Sequence, residues 1–209
     1  FDKMGNSIQN TLILALVALV VIVFISVLIA YITVRRANVI TGGLDIATMF
    51  PYIVPGSVLG ISLITAFNQK PLLLTGTGII IIVAFTIKRM PYTIRSSAAI
   101  LRQIGVSVEE ASLSLGASSL KTFFKITLPM MAPGVISGAI MSWITIITEL
   151  SSSILLYTGK TKTMTIAIYT EVIRGNYGVA AALSTILTAI TIASIFIMFK
   201  VTGSKEISM

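Results

Sequence analysis

Cysteine and histidine are both missing from the 209 residues. Their absence removes disulfides, Cys/His zinc sites, haem ligation by these side chains and any His-based catalytic triad within the chain. Carboxylates are scarce too, with seven Asp and Glu against 15 Lys and Arg. No acid–base pair is visible, so no catalytic residue is assigned and a membrane enzyme is a poor reading. A hard-metal site would have to be built from a carboxylate, a Tyr or a carbonyl, and no metal-ligand set stands out. The Gly159-Lys160-Thr161 run ends like a phosphate-binding loop, but Ile154 occupies the position where that loop begins with Gly. ATP hydrolysis by the chain itself is therefore not expected.

Apolar residues fill the space that charge leaves. The chain is 56% hydrophobic, with a mean hydropathy of +1.01. Residues 8–34 carry no charged side chain. As a helix rising about 1.5 Å per residue they reach roughly 40 Å, more than the hydrocarbon core of about 30 Å. The run is too long for a signal-peptide core and no small-residue cleavage site follows it. Four more spans are read at 45–67, 78–91, 133–157 and 177–199. The second is interrupted by Pro51 and Pro55, which favour a kink or break. The third is short and ends in Lys88, Arg89 and Pro91. The expectation is an all-α membrane protein of about five transmembrane helices, residues 1–209 forming one domain in the lipid bilayer.

The formal net charge of +8 does not gather into a patch that would suit nucleic acid. The cations flank the apolar runs instead. Arg35, Arg36, Lys88, Arg89, Arg95, Arg102, Lys121, Lys125, Lys200 and Lys205 share one side of a five-span topology, and the smaller group, including Lys70, Lys160 and Arg174, shares the other. By the positive-inside rule the richer side is cytoplasmic, which places the N-terminus outside and the C-terminus inside. Residues 90–129 then form a cytoplasmic loop, and 158–176 an external loop or re-entrant segment. In the latter, Glu171 and Arg174 are spaced to pair on one helical face.

The cytoplasmic loop contains a polar island at 109–129. Ser107-Val-Glu-Glu110 has the spacing of a capping box. A short helix at about 108–115 should stop at Gly116, and a second at about 120–126 should lead to Pro129. Glu109, Glu110, Ala111, Ser112, Gly116, Ile126, Leu128 and Pro129 follow the Glu-Ala-Ala, Gly, Ile-x-Leu-Pro spacing of one known family. The loop resembles the one by which permeases of binding-protein-dependent ATP-binding-cassette (ABC) importers hold their ATPase subunits, with Ser112 where the second Ala is usual. That resemblance implies a MetI-like permease fold in a bacterial inner membrane. The implied partners are ABC ATPase subunits that bind ATP and Mg, an extracytoplasmic substrate-binding protein, and a second permease half or subunit.

Glu149 is the other residue of interest, an acid within an apolar span where charge costs roughly 3 kcal/mol on insertion scales. It is read either as a pathway or gate contact for a cationic substrate, or as a carboxyl bonded through Thr148, Ser151 or a partner subunit. Pro51, Pro55 and Tyr157 complete the candidate pathway. The segment Thr148-Glu-Leu-Ser-Ser-Ser-Ile-Leu-Leu156 resembles ferric-ion uptake permeases, in which two such halves are fused. The chain, starting at Phe1, is expected to be a C-terminal half. Polyamine, thiamine and organophosphonate importers are the alternatives within the class, and an ATP-independent secondary transporter is the alternative outside it.

Overall fold

The computed structural model describes residues 2–202, so Lys205 lies outside the described residues. The helices are α1 (Asp2–Arg35), α2 (Val39–Ile53), α3 (Gly56–Ala66), α4 (Gly78–Gln103), α5 (Val106–Ser114) and α6 (Ser119–Thr122). A π turn (Phe123–Thr127) leads into α7 (Leu128–Ile147), followed by α8 (Ser153–Leu156), α9 (Met164–Ile173) and α10 (Tyr177–Thr202). The fold is all-α, as the apolar runs imply.

Helices α1, α4 and α7 enclose the core. Ala15, Ala18 and Ile22 of α1 meet Ile80, Ile81 and Ala84 of α4 and Trp143, Ile146 and Ile147 of α7. A second cluster joins Val27 and Ala30 to Ala98 and Leu101 and to Met131 and Val135 of the same three helices. Small residues set the separation of α4 and α7. A Cβ added to Gly138 would lie 2.5 Å from the Thr93 Cα, and one added to Gly134 2.6 Å from the Ser96 carbonyl. The small-xxx-small spacing lets the two backbones touch, and dispersion contacts and interhelical hydrogen bonds follow from that approach. One such bond joins Thr93 Oγ1 and Ser142 Oγ at 3.0 Å.

The span count differs from the expected five. Among the described residues three helices are long and apolar enough to cross a membrane, or four if α2 and α3 form one span broken by a 110° bend. The break falls at Val54 and Pro55, just after Pro51, as the prolines imply. Pro91 does not end the third segment: α4 runs through it as one helix. A proline interrupts a helix by removing a donor and crowding the preceding turn, and neighbouring hydroxyls relieve this in membranes. The carbonyl that Pro91 leaves without a helical donor is that of Ile87. Just beyond it, Ser142 of α7 donates to the Arg89 carbonyl at 3.0 Å and Ser26 of α1 to the Met90 carbonyl at 3.3 Å, tying α4 to both neighbours at this turn. Lys88 and Arg89 consequently sit in the middle of α4 instead of closing a short span.

The fourth segment is also corrected. Instead of one span over 133–157, α7 stops at Ile147 and a break precedes α8. Hydroxyls hold the freed backbone there, with Ser153 Oγ and Thr165 Oγ1 each donating to the Glu149 carbonyl at 2.9 Å. Helix α10 matches the expected fifth span but is peripheral, with 6% of its most apolar window buried. Its tie to the core is Trp143 Nε1, which donates to Ser194 Oγ at 2.8 Å.

Helix α9 begins against α1. The Met164 amide, an orphan donor at a helix start, finds Thr11 Oγ1 at 2.8 Å, and Asn10 Nδ2 donates to the carbonyl of Lys160 at 2.8 Å. Beyond α9, Arg174 meets Glu171 at 2.9 Å, as its spacing predicts, and Asn176 Nδ2 bonds the other Glu171 oxygen at 2.8 Å. The Asn176 amide and the Arg174 guanidinium hold the Glu171 carboxyl below its ordinary pKa.

Substituting Gly138 tests the α4–α7 contact. Gly138→Val should destabilise the protein by about 1–3 kcal/mol through overpacking against the Thr93 backbone. Gly42→Ala, whose Cβ would meet nothing within 4 Å, should be neutral or slightly stabilising. Thermal unfolding of the purified protein in detergent compares the two.

Candidate functional site

The first candidate site is the knob formed by α5, α6 and the π turn. Helix α5 starts at Val106 with Gly105 at its N-cap and no capping side chain, so the expected Ser107–Glu110 capping box does not form. The corner is fixed earlier than that box requires. Ile104 is buried, and its carbonyl accepts from Arg35 Nη2 at 2.9 Å, which leaves Ser107 already inside the first turn. A capping box does form at the start of α2, between Asn38 and Thr41. Sequence reading passed over it because Thr stands at the third helical position in place of Glu or Gln.

Gly116 ends α5 as expected. Its φ is +87°, a left-handed conformation that favours glycine. The Gly116 amide donates to the Leu113 carbonyl at 2.9 Å and the Ala117 amide to the Ser112 carbonyl at 3.2 Å, the paired bonds of a Schellman cap. Ser112 is more than a small residue in place of Ala. It is buried, and its hydroxyl pairs with Thr122 Oγ1 at 2.9 Å, locking α5 to α6.

The expected helix over 120–126 is instead one turn of α6 and the π turn. Pro129 would crowd the carbonyl of Lys125 in a regular helix. The wider turn, in which the Leu128 amide reaches back to the Phe123 carbonyl, makes room for it.

The two neighbouring acids face opposite ways. Glu109 is 9% exposed and turns toward α1, where Arg35 Nε donates to Oε1 at 2.8 Å and the Tyr31 hydroxyl to Oε2 at 3.4 Å. Glu110 and Ala111 are exposed, as are Leu113, Leu115 and Leu120. Ile126 and Leu128 are half-buried beneath them, and Pro129 is exposed. The knob therefore presents three leucines, Glu110 and the lysines Lys121 and Lys125 on a scaffold held by buried polar bonds.

The second candidate site surrounds Glu149, which lies in the break after α7 and is 5% exposed. Two cations of α4 reach it: Lys88 Nζ at 3.2 Å from Oε1, and Arg89 Nη2 in contact with Oε2. The Ser152 amide and hydroxyl also donate to Oε1, at 3.1 and 3.3 Å. Ser152 thus takes the role expected of Thr148 and Ser151 at the carboxylate, Ser153 and Thr165 hold the Glu149 main-chain carbonyl, and Thr148 bonds back to the Ile144 carbonyl. The missed signal was the Lys88-Arg89 pair, which looks terminal until α4 is known to continue.

The remaining pathway candidates are scattered around this cluster. A Cβ on Gly56, directly after Pro55, would fall 2.6 Å from Ser151 Cβ, so the α2–α3 break packs on the α7–α8 break. Pro51 is one turn upstream within α2, and Tyr157 is 38% exposed just past α8. Among the described residues no group of three or more His, Cys, Asp or Glu is placed to hold a metal ion.

Long apolar helices, two broken elements meeting at a buried ion cluster and a polar-braced knob at one end of the bundle describe a membrane-embedded transport subunit. The chain belongs to the family of binding-protein-dependent transport system inner membrane components, which matches residues 22–202. It is 38% identical over 206 residues to the ferric transport system permease protein FbpB of Actinobacillus pleuropneumoniae, covering 99% of this chain and 30% of that protein. A putative ferric transport system permease protein of Haemophilus influenzae is 41% identical over 161 residues, covering 77% of this chain and 26% of its own. The chain thus spans under a third of the length of these relatives. A putative 2-aminoethylphosphonate transport system permease protein of Salmonella typhimurium is 30% identical over 149 residues, with coverage of 71% and 56%. Among solved structures, a bacterial ABC transporter that imports alginate superposes with a TM-score of 0.78 at 14% identity, over 99% of this chain and 81% of that one. The inward-facing MetNI methionine ABC transporter gives 0.70 at 17% identity, over 96% and 93%.

The ion cluster predicts a large penalty for neutralising its acid. Glu149→Gln leaves two buried cations without a carboxylate and should cost about 3–5 kcal/mol. Combining it with Lys88→Met should return part of that loss. Denaturant unfolding in mixed micelles measures both.

Proposed function

We propose that the chain is one half of the transmembrane part of an ATP-driven importer for ferric iron, supplied by an extracytoplasmic binding protein. The observation that carries this reading is the likeness along nearly the whole chain to ferric transport permeases, at 38% identity. The knob's geometry supports the mechanical side of it. An exposed apolar surface on a cross-braced helix pair suits seating in a cleft of an ABC ATPase, where ATP and Mg bind. Closure of the ATPases then moves the knob, and the bundle reorients the pathway between two such halves. The knob faces the cytoplasm in this reading, with the N-terminus outside, in a bacterial inner membrane. The chain contributes no ATPase site of its own.

In this reading Glu110 and Gly116 contact the ATPase, while Glu149 is a gate contact. Its carboxylate already answers two cations, so it ties the breaks of the bundle together in preference to gripping a bare metal ion. Pro51, Pro55 and Tyr157 flank the same level of the pathway. The second reading is an organophosphonate importer, favoured by relatives named for 2-aminoethylphosphonate transport at 30% identity over 149 residues.

The test is ATP hydrolysis and uptake by the complete transporter in liposomes, with its binding protein empty or iron-loaded. Iron-loaded protein should stimulate hydrolysis. Gly116→Asp, which forces a side chain onto a left-handed residue at the knob's tip, should abolish most of the stimulation, about tenfold, while membrane insertion persists. Stimulation by 2-aminoethylphosphonate instead of iron would move the assignment to the second reading.

A further inference from the structure

The cytoplasmic-knob reading leaves open how a push on α5 reaches the rest of the bundle. Helices α4 and α7 are joined to the knob through the chain, at the Gly105 corner and the π turn. Helix α1 has no such covalent neighbour. Its packing on α4 and α7 is apolar over most of its length, and apolar packing is non-directional.

Besides the Ser26 hydroxyl on the Met90 carbonyl, the polar contacts lie toward the end of α1. The Arg35 side chain is 8% exposed, and a cation buried to that degree is held only by partners. It donates in two directions, from Nε to Glu109 at 2.8 Å and from Nη2 to the Ile104 carbonyl at 2.9 Å. The second Glu109 oxygen accepts from Tyr31, one turn earlier on α1. The Tyr31 ring in turn meets Phe123 of the π turn edge-on, with ring centroids 5.0 Å apart. The end of α1 therefore grips the knob on both of its flanks, where α5 begins and where α6 has ended. Arginine suits this role because its planar fork aims donors at two acceptors at once, which a Lys ammonium on a flexible stem does not reproduce.

We propose that Arg35 is a positioning residue that delivers the knob's movement to α1, with Glu109 and Tyr31 completing the tie. The inference rests on the importer reading above and adds a route to it: the acid next to the docking surface serves the permease's own α1, and α1 moves with the knob as one body. Removing the tie frees α1 from the knob and leaves in place the Ser112–Thr122 bond and the Gly116 cap that shape the face offered to the ATPase.

The experiment uses the complete transporter in liposomes, with ATP hydrolysis and uptake measured side by side. Arg35→Gln should retain associated ATPase and basal hydrolysis while uptake per ATP falls about tenfold, and Arg35→Lys should fall between it and the parent. Because the chain has no cysteine, Arg35→Cys with Glu109→Cys introduces a unique thiol pair, given cysteine-free partner subunits. Joining that pair with a short reducible bifunctional reagent should restore uptake per ATP, and reduction should remove it again. That reversibility is not expected of a residue that only aids folding. Unchanged uptake per ATP in Arg35→Gln, or a joined pair no better than the reduced one, overturns the inference. A parent transporter without ATP-driven uptake overturns the importer reading itself.

Discussion

The structure depends on how charge is housed in an apolar bundle. Helix α4 passes through the core between α1 and α7 and carries Lys88 and Arg89 at its centre. Charges enclosed among packed helices are tolerated when paired, and Glu149 is the carboxylate that pairs them. The pairing dictates local backbone. Glu149 has to lie where its side chain can reach α4, and it does so because α7 ends two residues earlier. The Ser- and Thr-rich stretch that follows supplies hydroxyls to carbonyls that a continuing helix would have satisfied. The α2–α3 break then packs against this turn through the missing side chain of Gly56. An ion cluster, two helix breaks and a glycine form one connected solution.

The knob follows the same logic at smaller scale. Its outer surface mixes Leu113, Leu115 and Leu120 with Glu110, serines and lysines, and its inner side combines apolar packing of Ile104 and Phe123 with buried polar bonds. Ser112 with Thr122 braces it internally, and Arg35 with Glu109 ties it to α1. Buried polar ties are directional where apolar contacts are not. The former set the knob's geometry, and the latter can be left on its outside.

Much of this was readable from residues alone. Apolar run length gives α1 and α10, the two prolines give the bend after α2, Gly116 gives the end of α5, and the loop's spacing gives the family. The failures share a cause. Pro91 reads as a terminus because the helices that pack around α4 on both sides of it, α1 and α7, come from distant sequence. The run 133–157 reads as one span because hydropathy does not register a break inside apolar sequence. The capping box at Ser107 fails because Arg35, about 70 positions away, fixes the corner first. For Glu149 the acid itself was conspicuous, but its partners were hidden by the misplaced end of α4. In each case local preference was overruled by long-range contact.

The hydrogen bonds of Asn10 and Thr11 at one end of α1 and of Arg35 at the other pin a helix of 34 residues near both of its ends. An apolar stretch of roughly 40 Å in a hydrocarbon layer of about 30 Å is mismatched, and a pinned helix cannot relieve the mismatch by fraying. A lean accommodates the excess, and in a helix packed along α4 and α7 a lean is shared with both neighbours. The knob, tied to the end of α1 through Arg35, stands at whatever level that lean gives it.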